Sequence, residues 1–160
     1  MRSGRFVAAT GVYPPTVKVF ECDQLALKFE RYLEADCVQF CFLEETYAKL
    51  AFLGADRSLQ LHAKYGRHHT VRLPKVGRDM ILLPHRAELF VAASGSEVYR
   101  LNLDQGRFAE PLATREESGN NCLHACPAHR LVGVGGDDDI DLAVAKTIGQ
   151  LVDRIAKRGR

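Results

Sequence analysis

Tryptophan is absent from the 160 residues, and neither charge dominates: 22 Lys and Arg stand against 20 Asp and Glu, a formal net charge of +2. A surface that tracks nucleic-acid phosphates usually declares itself by a large clustered excess of cations, so this overall balance is only a weak hint of such a partner. No apolar run approaches the roughly 18 residues that cross a bilayer as a helix. Met1-Arg2-Ser3-Gly4-Arg5 does not lead into the apolar core of a signal peptide before Tyr13-Pro14-Pro15. The expectation is a soluble, intracellular protein with no membrane partner. Five cysteines, Cys22, Cys37, Cys41, Cys122 and Cys126, are odd in number and dispersed. That suits free thiols in a reducing compartment better than a disulfide framework.

What is present favours strands. Hydrophobic residues make up 46% and charged residues 26%, as in an ordinary globular chain. Eight Phe, five Tyr and short clusters of Val, Ile, Thr and Leu are strand formers, while 13 Gly and six Pro supply turns. Four segments repeat one unit, an apolar strand, a tight turn and an alternating strand. They are Phe6 to Thr10 with Thr16 to Phe20, Leu50 to Leu53 with Ser58 to His62, Leu89 to Ala93 with Glu97 to Leu101, and Leu131 to Val134 with Ile140 to Leu142. Leu50 and Leu89 are 39 positions apart, and Leu89 and Leu131 are 42 apart. That period is close to the roughly 40 to 45 residues of a WD40 blade.

Between these pairs, Leu25 to Arg31, Arg67 to Leu73 and Arg107 to Leu112 fit outer strands, and Cys37 to Leu43, Arg78 to Leu83 and Asn121 to Ala125 fit inner ones. Gly66, Gly77, Gly95, Gly106 and the Gly135-Gly136-Asp137 cluster are expected in turns, where positive backbone dihedrals cost little. The predicted fold is all-β, a partial WD40-like β-propeller of about three to four blades over residues 1–140. A β-sandwich is the competing architecture. In residues 141–160, Ile148, Leu151, Val152 and Ile155 follow helical spacing among Lys146, Arg154, Lys157, Arg158 and Arg160. They predict a short basic amphipathic C-terminal helix or tail.

Three strings carry a family resemblance: Ala9 to Tyr13 leading to Leu25 to Arg31, Pro74 to Asp79, and the long ungapped run Ser96 to Phe108. Together they resemble the N-terminal propeller of the nucleolar protein 10 family, over roughly residues 5–135. The resemblance implies a non-catalytic scaffold of the nucleus and nucleolus, belonging to the small-subunit processome and assisting early processing of ribosomal RNA precursor. Implied partners are ribosome-biogenesis proteins and pre-ribosomal ribonucleoprotein particles, and no cofactor is implied. Two departures stand out. The chain opens inside a blade's second strand, and after Gly136 the expected Trp-Asp-type strand gives way to Asp137-Asp138-Asp139 and the basic stretch. Such a chain is expected to be truncated at both ends, unable to close a ring, and prone to self-association through its open edges.

Reactive constellations are sparse. Cys122, His124, Cys126 and His129 are zinc-ligand types, but on an extended strand the first three fall on one face at pleat spacing, which does not converge on a tetrahedral ion. Buried structural thiols are expected instead, with Cys37 and Cys41 on one core face. Asp137 to Asp139 lack the further oxygen ligands of a calcium loop. His68 and His69 have no nucleophile elbow beside them and fit an outer strand. A Cys/His metal protein or hydrolase on a sandwich is the competing functional class. No catalytic, cofactor or metal residue is assigned. Partner contact is assigned to Pro74, Lys75, Gly77, Arg78 and Asp79, on a loop that joins two blades, with Tyr13 in a second exposed turn.

Overall fold

A strand buried on both faces needs apolar residues at consecutive positions, and two stretches of the chain meet that demand. Leu50 to Gly54 and Glu88 to Ala93 are buried at every position. In the computed structural model each becomes the second strand of a four-stranded antiparallel sheet, covered by a neighbouring sheet on either side. The structure describes residues 4–114, 119–126, 128–129, 131–136 and 140–143. The proposed C-terminal helix and Asp137 to Asp139 lie outside the described residues.

The chain runs through four sheets in succession. The first holds β1 (Phe6–Val12), β2 (Pro15–Glu21) and β3 (Ala26–Tyr32). The second holds β4 (Cys37–Phe42), β5 (Leu50–Gly54), β6 (Ser58–Ala63) and β7 (Gly66–Arg72). β8 (Gly77–Leu83), β9 (Glu88–Ala93), β10 (Glu97–Asn102) and β11 (Arg107–Ala113) make the third. β12 (Asn120–Cys126), β13 (Leu131–Gly136) and β14 (Ile140–Ala143) make the fourth. All pairings are antiparallel between sequence neighbours, and β8 lies beside both β4 and β12. Sheets that meet through their first strands are blades of a propeller, not the two stacked layers of a sandwich. The β-sandwich alternative is therefore overturned.

Three apolar seams hold the sheets together, and side-chain alternation distributes residues between them. Leu50 and Phe52 of β5 join Val17 and Val19 between the first and second sheets. Ala51 and Leu53 point the other way and join Leu89, Val91, Ala93 and Leu101 between the second and third. Phe90 and Ala92 then meet Leu123, Val132 and Val134 between the third and fourth. The period of the chain reappears in its backbone hydrogen bonds. Leu33 donates to the Pro15 carbonyl, Leu73 to Arg57 and Thr114 to Ser96, each at 2.8 Å.

Each inner strand bears a register shift at its second residue, between Cys37 and Gln39, Gly77 and Asp79, and Asn120 and Cys122. The extra residue turns the third position toward the following blade. There Gln39 Oε1 accepts the Met80 N–H across the seam. One blade further on, Asp79 Oδ2 accepts the Leu123 N–H at 2.6 Å. The shift also corrects the thiol expectation. Cys37 packs in the first seam and Cys41 in the second, so the two do not share a face. Cys22 and Cys122 are exposed, not buried.

Four glycine expectations also change. Gly66 and Gly106 do adopt positive φ, at 138° and 64°. Gly77 instead opens β8, where an added Cβ would stand 2.6 Å from Leu53 Cδ1, so its small size serves blade packing. Gly95 is in a turn but without positive φ, and Gly135 and Gly136 lie within β13 and not in a turn, while Leu25, Arg57 and Ala87 take positive φ in turns of their own.

Removing the Asp79 acceptor should orphan the Leu123 amide at the seam. Asp79→Ala is expected to destabilise the fold by about 1–3 kcal/mol, whereas Asp79→Asn, which keeps one carbonyl oxygen, should lose less. Urea unfolding of the three proteins measures the difference.

Candidate docking face

In an antiparallel propeller the blade crossovers and the turns between second and third strands fall on one rim. Here the crossovers are 33–36, 73–76 and 114–119, and the turns are 13–14, 55–57 and 94–96. Backbone bonds tie them together: Ala55 donates to Asp36 at 2.9 Å, and Ser94 to Val76 at 2.9 Å. The six residues singled out for partner contact all belong to this rim. Tyr13 is fully exposed at the tip of the β1–β2 turn, where the Tyr13–Pro14 peptide is cis.

The crossover holds only Leu73, Pro74, Lys75 and Val76, and Gly77, Arg78 and Asp79 are already in β8. Pro74 and Lys75 are exposed, and the Pro74 carbonyl accepts from Arg57 at 3.4 Å. Lys75 lies across the next turn, its Nζ over Gly95. Arg78 is exposed and donates to the Asn121 amide oxygen on β12. Asp79 holds the Met80 and Leu123 amides. Tyr13, Pro74, Lys75 and Arg78 thus present atoms to solvent, while Gly77 and Asp79 face inward and secure the blades that carry them.

Polar bonds stiffen this rim. Asp56 Oδ1 accepts both the Ser58 amide, at 3.0 Å, and the Ser58 hydroxyl. The Ser58 bond holds the Asp56 carboxyl below the usual range. The buried Asn120 donates to the Gly95 carbonyl at 2.7 Å, and its amide oxygen lies 3.0 Å from the Thr114 hydroxyl.

A family described as nucleolar protein 10-like, N-terminal domain, matches residues 1–151. The chain belongs to the nucleolar protein 10 family. It is 41% identical over 142 residues to the ribosome biogenesis protein enp2 homolog of Schizosaccharomyces pombe, covering 85% of this chain and 22% of that protein. Nucleolar protein 10 of Xenopus tropicalis is 42% identical over 134 residues, covering 84% of this chain and 19% of the relative. The human nucleolar protein 10 is 40% identical over 121 residues, covering 76% and 18%. The chain thus spans about a fifth of the length of the curated relatives it matches.

The thiol and imidazole groups weighed for a metal do not converge on a point. Cys122, His124 and Cys126 stand opposite Gly135, Gly133 and Leu131 along β12. Among the described residues no group of three His, Cys, Asp or Glu gathers in a way that could hold an ion. His68 and His69 are exposed on the outer strand β7.

Sequence reasoning missed a polar line along β6. Ser58, Gln60 and His62 are all buried, and Gln60 Oε1 lies 3.1 Å from His62 Nε2. The ring meets Phe52 edge-on at 4.7 Å between centroids. His62 also lines two open cavities. One, of about 530 Å³, lies on the rim opposite the crossovers, beside Leu43, Leu82 and Asp104; the other, of about 460 Å³, lies between the first and second sheets. The polar residue at every second position of β6 was the available signal.

Burial, with the charges of Arg31 and Arg67, pushes the His62 pKa down to about 4 from 6.5. The unfolded chain therefore takes up a proton at higher pH than the folded one. Stability from this residue is fully present above pH 6.5 and is lost as pH falls toward 4. Denaturation midpoints of the parent and His62→Gln should converge over that window, and a constant gap between them would contradict the assignment.

Proposed function

We propose that the chain works as a non-catalytic scaffold in ribosome biogenesis, acting in the nucleolus within the small-subunit processome during processing of ribosomal RNA precursor. The observation that carries this reading is family membership across residues 1–151, with relatives named for ribosome biogenesis and for the nucleolus. The form of the molecule suits such a role. The second, third and fourth sheets are clamped to one another at their inner strands, and the frame displays short loops whose exposed side chains can meet other proteins.

Within that reading the partner-bearing surface is the crossover rim, with Tyr13, Pro74, Lys75 and Arg78 as its contact groups and Gly77 and Asp79 as their support. Tyr13 offers a large amphipathic ring and Arg78 a planar cation, residue types that concentrate binding energy at protein interfaces. Proteins of pre-ribosomal particles are the proposed partners, and no cofactor takes part.

The tagged chain should concentrate in nucleoli and co-sediment with pre-ribosomal particles. A Tyr13→Ala, Lys75→Glu double variant should keep its melting temperature yet lose co-sedimentation by roughly five- to thirty-fold, the effect of one or two interface anchors. Persistent cytosolic location without pre-ribosomal association would remove the reading. Unchanged sedimentation of a folded variant would move the partner to another surface.

A further inference from the structure

Charge is even over the chain as a whole but not along it. From Arg57 to Arg78 there are six Lys or Arg and no Asp or Glu, which leaves sixteen cations against twenty acids elsewhere. This run forms β6, β7 and the crossover after them. β7 is the outer edge of its sheet, and Arg67, His68, His69, Thr70 and Arg72 are all exposed on it. At about 3.3 Å per residue, Arg67 and Arg72 stand about 17 Å apart along the strand. Arg57 adjoins the Arg72 end, since its carbonyl accepts the Leu73 amide, and exposed Lys64 adjoins the Arg67 end.

At the Lys64 end the strip meets the cavity of about 460 Å³ between the first and second sheets. Two tyrosines line it with their rings largely in solvent, Tyr32 at 73% and Tyr65 at 76% exposure. Arg31 forms part of its wall, fixed by bonds to the Ala63 and Lys64 carbonyls at 2.9 and 2.6 Å and lying over the Phe29 ring. Arg67 donates to Glu34, so the acid in the cavity lining is already paired with a cation. His62, only 6% exposed, also lines the cavity. Its Nε2–H donates to Gln60 Oε1, which fixes the ring in the cavity wall.

We propose that this seam binds single-stranded RNA, its backbone following β7 past Lys64 and Arg72 and one base seated in the cavity against Tyr32 and Tyr65. Cations that track a backbone beside exposed aromatic rings are the combination that single strands require. A duplex fits poorly because its bases are stacked inside and cannot enter a cavity. An acidic peptide would satisfy the cations, but its carboxylates bring no flat ring for the tyrosines. The proposal goes beyond the protein-docking reading, uses a different surface, and is tested by direct binding. Its failure is therefore separate from a failure of nucleolar association.

Fluorescence anisotropy with a labelled oligouridine about twelve nucleotides long provides the test. The purified chain should bind it, with log affinity falling against log salt by about 0.7 per phosphate neutralised. Tyr32→Ala and Tyr65→Ala should each weaken binding at least about fivefold, the loss of one stacking platform, while Tyr65→Phe retains it. Arg72→Glu should weaken binding and flatten the salt slope. These side chains are exposed, so melting temperatures should not move, and Tyr65→Phe with Arg72→Glu decides the matter should an alanine variant fail to fold. Absence of binding, alanine variants that bind like the parent, a duplex bound as tightly, or polyglutamate competing equally well would each overturn the proposal.

Discussion

The inner strands β4, β8 and β12 are sheet edges, and an edge strand carries backbone N–H and C=O groups that its own sheet leaves without a ladder partner. In this chain that liability is turned into the joint between blades. Gln39 and Asp79 reach from one inner strand to the amide of the next, at Met80 and Leu123. Because the acceptor is a side chain and not a backbone carbonyl, neighbouring blades remain separate sheets while their edges are covered. The register shift at the second residue of each inner strand makes this reach possible, and the absence of a side chain at Gly77 lets Leu53 close the seam behind it.

Much of the architecture was legible because burial on both faces leaves a plain mark. Leu50 to Leu53 and Leu89 to Ala93 are unbroken apolar runs, and their 39-residue separation is the blade repeat itself. The single extra residue in an inner strand leaves no such mark. Cys37 and Cys41, four positions apart, are same-face residues on a regular strand; one bulge sends them into different seams. Nor does composition indicate which loop residues adopt left-handed backbone. Leu25, Arg57 and Ala87 do so, Leu25 in a local turn closed on the Cys22 carbonyl and Arg57 and Ala87 where their carbonyls accept the Leu73 and Leu103 amides.

The site was legible only as a neighbourhood. Pro74 to Asp79 read as one exposed loop, yet the strand begins at Gly77, and Gly77 and Asp79 work inside the frame while Pro74, Lys75, Val76 and Arg78 lie on its surface. Gln39 and Asp79 play one role with different residue types, and only the register aligns them. The cation-rich stretch from Arg57 to Arg78 was visible in the sequence once local charge was separated from net charge. What could not be read from it was the placement of Tyr32, from the preceding blade, in the same cavity as Tyr65.

If side-chain acceptors at inner-strand edges hold the blades in order, the amides they receive must be shielded from water although they lie outside any ladder. Residue-resolved hydrogen exchange by NMR on the intact chain measures this directly. The account predicts slow exchange at Met80 and Leu123, with Asp79→Ala releasing Leu123 while Met80, still held by Gln39, stays protected. Rapid exchange at both amides in the parent protein would contradict the clasp, and with it the arrangement of the blades.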